Sequence, residues 1–201
     1  MIEEAVAALR AGKPVVLPFD TVYGLAADPY RAETTRRLYK LKGRDESQPS
    51  ALVASSLDFL LECVPELRGR AAPLARLLLP GPVTVIVPNP ARRFRWLCGT
   101  SPHTIGVRVP ELDGPGGEVL ERVGAVLATS ANHPGEPDPK YLEQVPEDIR
   151  AGAAAVVDGG ELAGTPSTVV DLTGPEPRVL REGALPAAEA LRRLDAAVRS
   201  S

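Results

Sequence analysis

Cysteine is scarce in this 201-residue chain, which holds only Cys63 and Cys98. Two thiols so far apart make neither a disulfide framework nor a metal-ligand pair, and both read as reduced groups in or near a core. Long apolar runs are missing too: nothing approaches the roughly 20 apolar residues that cross a bilayer. The opening MIEEAVAALRAG has no basic segment leading into an apolar one, so no export signal is read there. A cytoplasmic protein without membrane contact is expected. Positive charge is in slight deficit, with 23 Lys and Arg against 26 Asp and Glu for a net −3. That balance excludes a protein that coats nucleic acid over its whole surface. Lysine is the rarer cation, 4 residues against 19 arginines, so a lysine inside a motif stands out. There is no GxSxG elbow, Walker lysine loop or GxGxxG fingerprint, and His103 and His133 have no second ligand at metal spacing. A hydrolase triad and a Rossmann-type dinucleotide site are therefore not supported.

What is present fits an ordinary globular chain. With 44% hydrophobic and 24% charged residues, disorder and fibrous repeats are excluded. One domain over residues 1–201 is expected, burying roughly 70% of the unfolded chain's surface. Divided after Pro110, the charge separates: 15 basic against 10 acidic residues before it, 8 against 16 after it. A local basic patch in the first half is compatible with the acidic whole.

Ile2, Ala5, Val6 and Leu9 repeat at helical spacing and Gly12 stands where a left-handed cap belongs. PVVLP (14–18) reads as a buried strand, followed by the polar, glycine-containing loop DTVYGLAADP. Helices are expected over 33–43, 57–64, 70–79 and 187–198. Strands are expected at SALVAS, VTVIVP, TIGVRVP, AVLATS, AAVVDGG, STVVDLTG and PRVLREG, with GPGGE (114–118) as a loop. Several strands follow one another without a helix, which points to an α+β (mixed α/β) architecture, a twisted mixed sheet with helices on its faces.

Chemistry-bearing residues cluster at strand ends, where open α/β sheets bind ligands. Asp20 to Gly24 reads as a turn that exposes the Thr21 hydroxyl. Lys42-Gly43-Arg44 ends a helix. Cations there complement the dipole, or two cations in extended backbone project together toward a polyanion. Ser130 and Asn132 leave a strand end on one side, fit to contact one ligand. Thr104, Gly106 and Arg108 alternate onto one face of an apolar strand. A guanidinium buried there must meet a protein carboxylate or a ligand anion. Arg181, beside Glu182, poses the same question. The Arg92–Trp96 stretch, basic and aromatic, reads as a surface loop with two anchoring rings or as an RNA contact.

In order, the segments PFDTVYGL (18–25), KGR (42–44), PGPVT (80–84), GVRVP (106–110), SAN (130–132), STVVD (167–171) and REG (181–183) resemble the threonylcarbamoyl-AMP synthase family. The resemblance runs from about residue 2 to about residue 186. It implies a three-layer YrdC-like fold around a basic cleft. It also implies synthesis of L-threonylcarbamoyl-AMP and pyrophosphate from L-threonine, bicarbonate or CO2, and ATP, a step toward N6-threonylcarbamoyladenosine in tRNA. By the same resemblance Lys42, Arg44, Ser130 and Asn132 form the catalytic nucleotide tetrad. Gln48, Thr104 and Arg181 join them on ATP, and Thr21, Arg108 and Ser167 hold threonine. Mg2+ is carried with ATP; no protein metal site and no tightly bound organic cofactor are implied. Downstream threonylcarbamoyl transferases and a tRNA contact are the expected macromolecular partners. Phe19, Asp45, Ser50, Val53 and the Gly135–Asp138 loop depart from the family pattern, and Asp45 is expected to draw on the Arg44 guanidinium. The competing readings are an RNA-binding module of this fold without adenylation and a related carbamoyl-adenylating enzyme.

Overall fold

Brief apolar runs punctuated by proline and glycine are too short for stable helices, and here they hydrogen-bond side by side. In the computed structural model, which describes residues 1–69 and 71–198, nine strands make one sheet. They are β1 (Val15–Pro18), β2 (Tyr23–Ala27), β3 (Ala51–Ala54), β4 (Val83–Pro88), β5 (Thr104–Arg108), β6 (Ala125–Ser130), β7 (Ala155–Val156), β8 (Thr168–Asp171) and β9 (Arg178–Arg181). Helices α1 (Ile2–Arg10), α2 (Ala32–Lys42), α3 (Leu57–Cys63), α4 (Ala71–Ala75), α5 (Pro115–Val123), α6 (Glu147–Gly152) and α7 (Ala187–Val198) connect them. The strand order is β7-β1-β2-β6-β3-β5-β4-β8-β9. Three pairs are parallel, β1 with β7, β3 with β5 and β4 with β8; the others are antiparallel, so the sheet is mixed as expected. Arg70, at the start of the helix expected over 70–79, lies outside the described residues, and the helix itself is confined to α4.

Side-chain alternation along the strands divides the core in two. Val15, Leu17, Ala26, Val53 and Val126 pack with Ala5, Val6 and Leu9 of α1 and Val119 and Leu120 of α5. On the other face Val16, Leu25, Leu52, Val85, Val107 and Leu127 meet α2, α3, α4, α6 and α7 through Leu38, Leu60, Ala75, Ile149 and Leu194. The result is three layers. Leu38, with no exposed surface, is typical of this core; trimming it to Ala is expected to cost about 2–5 kcal/mol.

Three elements differ from expectation. The loop read over 20–29 contains β2, which is fully buried between β1 and β6. Tyr-Gly-Leu-Ala-Ala has little strand propensity of its own; pairing on both edges and burial on both faces override it. The segment 114–118, expected as a loop, opens α5, with Gly114 before it and Pro115 in its first turn. Proline presets φ there, and the glycines serve close approach: a Cβ on Gly116 would lie 2.0 Å from the Pro18 carbonyl oxygen. Helix α6 was likewise not anticipated.

Helices α1 and α5 lie over β7, β1 and β6. Beyond them the same face, across β3, β5, β4 and β8, carries no helix among the described residues. That uncovered stretch is where the functional groups collect.

Candidate active site

A cavity of about 400 Å³ opens on the uncovered face, within the range of small-molecule sites. Strand alternation supplies its floor: Ala51 and Val53 from β3, Thr84 and Ile86 from β4, Thr104, Gly106 and Arg108 from β5, Ala128 and Ser130 from β6. The face predicted for Thr104, Gly106 and Arg108 is therefore the cavity face. Phe19, Thr21 and Val22 enter from the turn after β1, Ser167 from the segment before β8, and Arg181 from the end of β9. Phe19 rests on β2 at Gly24, where a Cβ would fall 2.5 Å from the ring. Ser50 and Val53, two departures from the family pattern, also line the cavity.

Three guanidiniums face this space: Arg44, Arg108 and Arg181. Arg108 is only 8% exposed. Its Nη2 donates to Asp20 Oδ1 and, at 3.0 Å, to Thr21 Oγ1, while Nε is buried with no acceptor. Burial pulls its pKa down against the opposing pull of Asp20. Of the two alternatives for Arg108 the protein carboxylate is the one present: Nη2 pairs with Asp20, while Nε and Nη1 have no protein acceptor among the described residues. In the sequence Asp20 reads only as a turn residue. The signal that could have found it is a carboxylate one position before Thr21 at a strand end.

Arg44 Nη1 donates to Thr129 Oγ1 at 3.2 Å, Nη2 donates to the Pro49 carbonyl, and Nε is buried without a partner. The expected draw from Asp45 does not occur. Asp45 Oδ1 instead accepts the Ser47 backbone N–H at 2.7 Å, a local turn bond that outcompetes a side-chain ion pair across solvent. Arg181 donates to the Ser167 carbonyl from Nη2 at 2.7 Å, and Ser167 Oγ lies 2.9 Å from Thr84 Oγ1. Glu182 turns away to accept the Ala187 N–H at the start of α7.

Lys42 and Arg44 do not project together. Lys42 is the last residue of α2, and Gly43 reverses the chain in the left-handed conformation at φ +67°. Arg44 consequently faces the cavity while Lys42 runs beneath the Ser130–Asn132 turn. There its ammonium, 2% exposed as a residue, donates to the carbonyls of Ser130 (2.6 Å) and Asn132 (2.5 Å) and to Asn132 Oδ1 (2.8 Å). All three of its hydrogens are taken. Burial, helped by the Arg44 charge and opposed by Asp138 and Glu136, brings its pKa down to about 8. Asn132 also accepts from Ser130 Oγ at 2.7 Å and donates to the Glu136 carbonyl at 2.6 Å. Ser130 therefore reaches the cavity, whereas Lys42 and Asn132 stand behind the wall. Gln48 is exposed and outside it; its carbonyl accepts the Tyr39 hydroxyl. Asp138, from the altered Gly135–Asp138 loop, lines the cavity beside Ser130. Cys98 is a buried free thiol at its edge and Cys63 is free and half-buried.

The Arg92–Trp96 loop lies away from this cavity. Phe94 packs against Tyr30 and Trp96, Trp96 Nε1 donates to the Pro29 carbonyl at 2.9 Å, and Arg93 pairs with Glu66. Its two rings anchor it as expected.

A mixed, three-layered sheet domain whose open face gathers three guanidiniums and several hydroxyls has the chemistry that suits a small anionic molecule. The chain belongs to the Sua5/YciO/YrdC family, whose model, described as Telomere recombination, matches residues 7–183. The threonylcarbamoyl-AMP synthase of Pyrococcus abyssi is 35% identical over 90% of this chain and 53% of its own. The chain thus spans about half the length of that archaeal relative. The threonylcarbamoyl-AMP synthase of Pseudomonas syringae is 32% identical over 85% of this chain and 92% of its own. The crystal structure of Pyrococcus abyssi Sua5 complexed with L-threonine superposes with a TM-score of 0.87 at 33% identity, covering 96% of this chain and 57% of that one. No helix among the described residues is long and apolar enough to cross a membrane.

Proposed function

We propose that this protein is an L-threonylcarbamoyladenylate synthase, a nucleotidyltransferase that joins L-threonine, bicarbonate or CO2, and ATP into threonylcarbamoyl-AMP with release of pyrophosphate. The observation that carries the reading is Arg108: a nearly buried guanidinium on a rigid strand, paired with protein groups through Nη2 alone, that lines a cavity together with the guanidiniums of Arg44 and Arg181 and a single carboxylate, Asp138. Leaving a buried charged donor without an acceptor is costly, and an anionic ligand relieves that cost. The names of the relatives, threonylcarbamoyl-AMP synthases, and the L-threonine complex of the archaeal structure support threonine as the ligand.

Threonine's carboxylate is assigned to Arg108, with the Thr21 and Ser167 hydroxyls beside it. Held there, the substrate has its amine directed into the cavity, and positioning of this kind lowers the entropic part of a barrier. The amine nitrogen bonds to the carbon of CO2 and gives up a proton, or to the carbon of bicarbonate with loss of water, forming a carbamate. A carbamate oxygen then attacks the α-phosphorus of ATP and the bond to the β-phosphate oxygen breaks. Arg44, Arg181 and the Ser130 and Thr104 hydroxyls are assigned to the nucleotide, where fixed cations offset charge gathering on the departing pyrophosphate. Lys42 and Asn132 serve this half by holding the Ser130 turn. ATP enters with Mg2+ as part of the substrate. The cavity walls exclude bulk water from the labile carbamate. Transfer of the threonylcarbamoyl group to tRNA adenosine falls to downstream transferases; a direct tRNA contact rests on the family resemblance alone.

The test is incubation with ATP, Mg2+, bicarbonate and L-threonine, with mass detection of the adenylate and measurement of pyrophosphate. Both products are expected, in equal amounts and dependent on threonine. Absence of both over a range of substrate concentrations refutes the synthase reading.

A further inference from the structure

The turn after β1 contains one group for which the reaction above has no use, the Asp20 carboxylate. It sits between segments far apart in sequence. Oδ1 accepts from Arg108 Nη2, and Oδ2 accepts the Glu111 backbone N–H at 3.3 Å. The Asp20 and Arg108 side chains are 11% and 10% exposed. Thr21, the next residue, shares the same Nη2 at 3.0 Å. One terminal nitrogen of the guanidinium is therefore held from two successive residues of a single turn, and Nε and Nη1 have no protein acceptor among the described residues. A planar fork fixed at one corner holds its other terminal nitrogen, Nη1, in one orientation.

The charge matters as much as the geometry. Arg181 lies close enough to Arg108 to disfavour its charged form. Without a carboxylate, two cations at this end of the cavity would attract the most highly charged anion present. In a site that takes ATP, that anion is the polyphosphate and not the amino acid. Asp20 cancels one of the two charges, leaving a site suited to a monoanionic carboxylate.

We propose that Asp20 is a positioning residue for the amino-acid half of the site: it fixes the Arg108 fork and tempers its charge so that this end takes a carboxylate in preference to a phosphate. The proposal rests on the threonine reading above. Its test is calorimetric binding of L-threonine to the full chain, with inorganic phosphate as competitor and ATP binding as the check that each variant is folded. Asp20→Asn is expected to weaken threonine roughly 10-fold or more, the scale of one charge-assisted hydrogen bond. It is also expected to let phosphate compete with threonine where the parent protein does not, an effect that a purely structural lesion would not produce. In an Arg108→Gln background the same substitution is expected to add nothing, because Asp20 acts through Arg108. Asp20→Glu keeps the charge but moves it by one methylene, and is expected to weaken threonine without admitting phosphate. Unchanged threonine affinity in Asp20→Asn or Asp20→Glu, or additive losses in the double variant, overturns the proposal while leaving the synthase reading intact. Failure of the parent protein to bind threonine although it binds ATP overturns the functional reading first and the proposal with it.

Discussion

Replacing Lys42 by Met separates two roles that a lysine in this motif can have. Methionine keeps an unbranched helix-compatible chain and removes only the ammonium. The ammonium makes three hydrogen bonds of 2.5–2.8 Å to the Ser130–Asn132 turn, each worth about 1.5–3 kcal/mol because the donor is charged. Against this, a pKa brought from 10.5 to about 8 means that burial costs the charged form roughly 3 kcal/mol. The net loss on substitution is about 1.5–6 kcal/mol, which for a domain of this size lowers Tm by about 3–24 °C. The assay is thermal unfolding followed by circular dichroism, paired with adenylate formation at a temperature where the variant is still folded. Tm should fall by this amount, and product formation should fall with it as Ser130 loses its support. A variant with parental Tm but no activity would refute the reasoning, because it would place Lys42 on the nucleotide itself. Parental values of both would refute any role for the network.

The same lysine sets a pH dependence. Its folded pKa is depressed, so between about pH 8 and 10.5 the unfolded chain holds this proton and the folded one does not. Stability from this group therefore rises across that window, having been lower below it, and the difference in unfolding free energy between parent and Lys42→Met should change with pH only there; a constant difference counts against the shift. Arg44→Ala should weaken ATP by about tenfold or more, whereas Arg92→Ala, whose guanidinium meets His103 outside the cavity, should stay within about twofold; equal losses in calorimetry would misplace the cleft. Gly24→Ala drives a methyl into the Phe19 ring and should cost about 1–3 kcal/mol, less in a Phe19→Leu background; equal costs in both backgrounds, read by denaturant unfolding, would remove the ring contact as the cause. Gly116→Ala forces α5 off the Pro18 carbonyl and should cost about 3 kcal/mol or more, which a Tm within about 2 °C of the parent would contradict.

Much of the fold was legible before the structure. Strands with strong alternation or β-branched content, such as TIGVRVP and VTVIVP, appeared where expected, because their side-chain period is a property of the local chain. β2 was not legible, since Tyr23–Ala27 is a strand only through β1 and β6 on its two edges. The start of α5 was hidden for a related reason. Gly116 and Gly117 weaken a helix in isolation, and their value is visible only where Pro18 and Leu112 crowd them. Of the candidate site, Thr21, Arg44, Thr104, Arg108, Ser130, Ser167 and Arg181 come together at one cavity. Lys42, Asn132 and Gln48 do not.

What the sequence alone determined was the ordered set of segments and the chemistry each carries: a scarce lysine at a helix end, an arginine in an apolar strand, hydroxyls at strand ends. Those are local facts of residue type and spacing. The tertiary structure decided which of these groups face the cavity, because orientation depends on single backbone conformations and on partners far away in the chain. One left-handed glycine sends Lys42 and Arg44 in different directions. One carboxylate, Asp20, 88 positions from Arg108, makes a buried cation into an oriented fork, a pairing that no spacing rule along the chain can express.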